Sequence, residues 1–72
     1  MRKYTVIYEQ GETSWGAYVP DLPGVITVAA SREEAESLIR EAIELHIQAM
    51  REEGLPVPPP ASTAGTVDVA AA

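Results

Sequence analysis

Only one stretch of this chain, Ser31 to Gly54, sustains a helical period, and it dictates most of what the rest can become. Ser31-Arg32-Glu33-Glu34 is a capping box: the Ser31 hydroxyl can accept from the Glu34 backbone N–H while the Glu34 carboxylate reaches back to the Ser31 N–H. Glu33, Glu34 and Glu36 add negative charge at the positive end of the helix dipole. Apolar residues then recur at Ala35, Leu38, Ile39, Ala42, Ile43, Leu45, Ile47, Ala49 and Met50. At 100° per residue they sweep an arc of roughly 200°, about twice what one sheet face needs. Arg40, Glu41, Glu44, Gln48 and Arg51 fall on the wet side, Gly54 supplies a C-cap, and Pro56 forbids continuation. The pattern predicts a helix over 32–53 that packs on a sheet and has apolar surface left for a second contact.

The sheet is read from three β-branched and aromatic runs before the helix, at 3–9, 15–19 and 25–29. In the first, Tyr4, Val6 and Tyr8 share one face; in the second, Trp15, Ala17 and Val19 do. Gln10-Gly11-Glu12-Thr13 is turn chemistry between them. After the helix, the proline-rich connector 56–60 must run extended. Thr66-Val67-Asp68-Val69-Ala70 alternates well enough to be a last strand over 66–70. The expected fold class is α+β: one two-layer βββαβ domain over residues 1–72, an antiparallel sheet with one helix on a face.

At 72 residues the chain is small, and such a chain buries only about 60% of its unfolded surface. It has no cysteine and no phenylalanine. A core without disulfide support that is this thin points to sharing with other copies, as a homodimer or homotetramer. Net charge is −6, which argues against direct nucleic-acid binding or an anionic membrane surface and towards a neutral or basic partner. No apolar run approaches a membrane span and no signal-peptide pattern opens the chain, so a cytoplasmic location is expected.

Catalytic chemistry finds little to stand on. His46 is the one histidine, and it sits near the centre of the apolar arc with only Glu53 on the same face about two turns on. A general base needs a nucleophile or carboxylate in reach, so a packed or interface-facing histidine is the better reading. Absence of cysteine and of histidine pairs excludes the usual metal spacings. Gly11, Gly16 and Gly24 form no phosphate loop, Ser31 is explained by capping, and Trp15 by the core. No catalytic residue, metal or cofactor is expected.

Pro20-Asp21-Leu22-Pro23-Gly24 is the segment that invites a functional reading. Two prolines and a glycine stiffen it, so little entropy is lost on binding. Asp21 is the only carboxylate between Glu12 and Glu33, and Leu22 beside it offers an apolar anchor. Partner binding is therefore expected at Asp21, Leu22, Pro23 and Gly24. The competing account is that Asp21 ties down its own turn through a side-chain-to-backbone bond.

Taken in order, Pro20-Asp21-Leu22-Pro23-Gly24, a strand containing Thr27, Ser31-x-x-Glu34-Ala35, Glu41-Ala42-Ile43-Glu44-Leu45-His46 and Glu53-Gly54-Leu55-Pro56-Val57-Pro58-x-Pro60 run from residue 20 to residue 60, within a likeness that covers roughly residues 3–62. In that order and spacing the chain resembles the HicB-like antitoxin family. The resemblance implies a βββαβ fold related to double-stranded-RNA-binding and half ribonuclease-H-like domains, with His46 in a structural helix pattern. It also implies an antitoxin of a type II toxin–antitoxin system that neutralises a small basic HicA-type toxin, an mRNA-cleaving ribonuclease. Longer members carry a helix-turn-helix or ribbon-helix-helix DNA-binding domain; the resemblance here is to the short, single-domain form. Two other readings stand beside it: a solitary homo-oligomeric regulatory protein without a cognate toxin, and a small hydrolase or nuclease. An adjacent reading frame for a basic, histidine-bearing protein favours the antitoxin reading; RNA cleavage by the pure protein would favour the enzyme.

Overall fold

Three strands and one helix form in a computed structural model that describes residues 2–71: β1 (Ile7–Gln10), β2 (Trp15–Tyr18), β3 (Ile26–Ala29) and α1 (Arg32–Glu52). The sheet is antiparallel in the order β1-β2-β3, with Ile7 opposite Tyr18 and Tyr18 opposite Ile26. β1 begins later than the composition of 3–9 predicts, and the register explains it. Continued outwards, Thr5 would face Pro20, which has no N–H to give.

Alternation then sorts the sheet into two faces. Tyr8, Ala17 and Thr27 line up across the strands on the helix side, and Ile7, Tyr18 and Ile26 on the outer side. The core lies on the helix side: Ala17, Val19, Leu22, Val25, Ala29, Ala35 and Ile39 are buried, with Tyr4, Val6, Tyr8, Trp15, Ala42 and Ile43 packed around them. Thr27 contributes a buried Oγ1 with no hydrogen-bond partner among the described residues. Three of the buried residues are alanine, so helix and sheet approach closely over a small core.

Ser31 caps the helix as its sequence predicts, its Oγ accepting from the Glu34 N–H at 3.1 Å. The reciprocal Glu34 bond of a full capping box is not made among the described residues. At the other end Leu55 N–H donates to Met50 O (2.8 Å) and Gly54 N–H to Arg51 O (3.1 Å). With Gly54 at φ +71°, this is a Schellman ending. The apolar arc is divided. Ala35 and Ile39 are buried and Ile43 is half-buried, whereas Leu38 and Leu45 stand exposed on the flank. The second contact that the arc calls for is not filled within one chain.

The last strand is a correction. Residues 66–70 pair with no strand among the described residues, and Val67 and Val69 are 84% and 79% exposed. Alternation makes a segment suited to a sheet, but a strand exists only against a neighbouring edge, and the tail does not lie along either edge of its own sheet. Three strands and a helix therefore make up the α+β domain, as a βββα arrangement.

Candidate functional site

Two consecutive turns shape the segment between β2 and β3. Leu22 N–H donates to Val19 O at 3.1 Å, and Val25 N–H to Leu22 O at 3.2 Å. Each turn has proline in its second position, Pro20 and Pro23, where a fixed φ is already correct. Gly24, at φ +88°, takes the third position of the second turn, the place a type II turn reserves for a residue without a side chain. Val19 N–H closes the pair on Val25 O at 3.2 Å.

This double turn swings Leu22 inwards. It is fully buried, so the expectation of an apolar anchor at Leu22 is corrected: the leucine plugs the core end of the sheet and is not on the surface. Pro23 and Gly24 are exposed.

Asp21 points the other way, to the tail. Its Oδ2 accepts from the Ala61 N–H and the Ser62 N–H, both at 2.8 Å, and its Oδ1 from the Ser62 hydroxyl at 2.7 Å. Three donors on one carboxylate favour its ionised form. The Ser62 backbone bond, then the Ala61 backbone bond, then the Ser62 hydroxyl hold the carboxyl below its ordinary value, against a small opposing effect of burial. Asp21 thus ties down a segment about 40 residues away and not its own turn. Two further bonds fasten the same stretch: the Tyr4 hydroxyl donates to Pro58 O and the Thr5 hydroxyl to Ser62 O, each at 2.6 Å.

Sequence reasoning missed Tyr4, Thr5 and Ser62. The isolation of Asp21, the only carboxylate between Glu12 and Glu33, was the available signal; nothing local pointed to Ser62. His46 is half-buried on the helix, without a hydrogen bond or ion pair among the described residues. Trp15 packs against the core. Among the described residues no three His, Asp or Glu side chains gather at metal-binding distance, and no helix is long and apolar enough to cross a membrane.

The exposed side of α1 is acidic. Glu33, Glu34, Glu36, Glu41, Glu44 and Glu52 all face solvent, and only Glu36 makes an ion pair among the described residues, with Arg40 at 3.3 Å. Beside it, between the segment leading into β1 (Arg2, Tyr4 and Val6) and α1, opens a groove of about 1010 Å³.

Comparison with known proteins bears on what such a domain is for. No match is found among curated proteins, and none among solved structures. Residues 4–70 match a family described as the HicB-like antitoxin of bacterial toxin–antitoxin systems. That span takes in the sheet, the double turn, the helix and the fastened tail, and the chain belongs to the HicB-like antitoxin family.

Proposed function

We propose that this chain neutralises a small, basic, HicA-type mRNA-cleaving toxin by binding it directly, as a binding protein and not as an enzyme. The observation that carries the reading, beyond family membership, is the exposed acidic side of α1 on a chain of net charge −6. Carboxylates without cationic partners of their own create a field that attracts a basic protein, raising its association rate and discriminating against acidic competitors. The double turn enters the proposal in a narrower form than its sequence invites. Pro23 and Gly24 offer rigid exposed backbone, Asp21 positions the tail beside them, and Leu22 holds the turn from inside.

The test is co-expression with the basic, histidine-bearing protein of an adjacent reading frame. Co-purification of a complex and loss of that partner's RNA cleavage are expected. Glu41→Gln with Glu44→Gln should slow association and flatten its salt dependence without unfolding the chain. Pro23→Arg should weaken binding at least about tenfold if the turn touches the toxin. A neighbour that cleaves RNA equally well in the presence of this chain would overturn the reading.

A further inference from the structure

The helix carries a second stripe, one that its own sheet does not cover. From Glu34, the residues Leu38, Glu41 and Leu45 follow at steps of four, three and four. At 100° per residue these four fall within an arc of about 60° on one flank of α1. All four are exposed, Leu38 at 37% and Leu45 at 59%. The buried Ala35 and Ile39 lie about 90–130° round from the centre of that arc. Arg40, Ile43 and Glu44 turn to the groove. The stripe therefore belongs to neither core nor groove.

Its spacing is that of a seam between two helices. Leu38 and Leu45 are seven apart, as are Glu34 and Glu41. Alternating steps of three and four keep one flank facing a neighbouring helix that crosses at about 20°. Leucine repeated every two turns, in step with repeated glutamate, is more than a scatter of single exposed residues.

Charge on the helix is sorted about this stripe. The three arginines of α1 all point more than about 100° away from it. Arg32 lies over the Tyr8 ring at 4.6 Å, Arg40 pairs with Glu36, and Arg51 lines the groove. Glu34 and Glu41 have no cationic partner among the described residues. Leucines set between unpaired carboxylates fit an occupant with apolar residues at the same steps and Lys or Arg beside them. A second copy would set glutamate against glutamate, and nucleic acid or an anionic membrane meets the same repulsion.

We propose that this stripe seats a basic amphipathic helix of the protein toxin. That helix lies along α1 with its apolar side chains on Leu38 and Leu45 and its Lys or Arg on Glu34 and Glu41. The inference rests on the toxin-binding reading and deepens it. The acidic field of the whole chain brings the partner in, and the two leucines, desolvated at the centre of the contact, fix where it docks.

The test titrates variants with the basic, histidine-bearing protein of the adjacent reading frame, held in a non-cleaving form by replacing its histidine. Leu38→Ala with Leu45→Ala should raise Kd at least about 30-fold. Circular dichroism of the free chain should stay that of the parent, since neither leucine is buried. Glu41→Lys should weaken binding at least about tenfold more than Glu44→Lys. The two reversals change net charge equally and Glu44 lies on the groove side, so the difference reads position and not overall field. Hydrogen exchange in the partner should slow across one helix that bears Lys or Arg. Parental affinity in the double leucine variant, equal effects of the two reversals, or protection confined to a strand or loop of the partner would each overturn the helix seat and leave toxin binding standing. Failure of the parent chain to form any complex would overturn the seat and the toxin-binding reading together.

Discussion

Asp21 and Ser62 lie 41 positions apart and meet through two hydrogen bonds, one from the Ser62 N–H and one from its hydroxyl. The contact couples the β2–β3 turn to a tail that Tyr4 and Thr5 also hold, through Pro58 O and Ser62 O. A local turn residue therefore controls the placement of a distant segment.

Protonation should undo that coupling in a defined direction. Asp21 has its carboxyl lowered by the Ser62 and Ala61 bonds, while in the unfolded chain it titrates near about 3.9. Its contribution is therefore fully present above the unfolded value and is lost as pH falls through the lower folded value. Tail attachment, followed by protease cleavage between 59 and 66, should be flat from pH 5 to pH 8 and should fail only in acid below about pH 4. Asp21→Asn should leave the tail open to cleavage at neutral pH, with the helix content of the domain unchanged.

Leu22→Ala should destabilise the fold by about 2–5 kcal/mol, the range for truncating a fully buried leucine. Chemical denaturation measures it. A loss of partner affinity in a chain of parental stability would instead mark Leu22 as a surface contact.

Thr27→Val should raise stability by about 1 kcal/mol, because it removes a buried hydroxyl that has no partner among the described residues and keeps the side-chain shape. For a domain of this size that is a rise in Tm of about 4–8 °C. A fall in Tm would show that the hydroxyl is satisfied in solution.

His46→Gln should shift stability by no more than about 1 kcal/mol, as expected for a half-buried helix position. Thermal melts check the fold and sedimentation the assembly. A reaction rate lost with folding and oligomer size intact would refute a structural histidine.

The helix was legible almost to the residue, because caps and periodicity are local signals; its end falls at Glu52, with Glu53 as the C-cap. Antiparallel pairing also followed from short connections. What was not legible depended on geometry between distant parts. β1 loses its first residues because of Pro20 opposite it, and Leu22 is turned inwards by two successive turns whose composition alone looks like surface. The Asp21 bonds to Ala61 and Ser62 cross about 40 residues, a distance at which no local pattern carries information. The 66–70 alternation is a true strand pattern left unpaired among the described residues.

The alanines at 17, 29 and 35 have a consequence for how the fold answers to temperature. Burying alanine removes little hydrocarbon from water, and the tail removes almost none. A chain of 72 residues ordinarily gains about 1 kcal/mol/K of heat capacity on unfolding. This domain, with so much of its length outside the core, should gain less as a single copy. Its stability curve is then shallow, changing little between refrigeration and warm growth conditions.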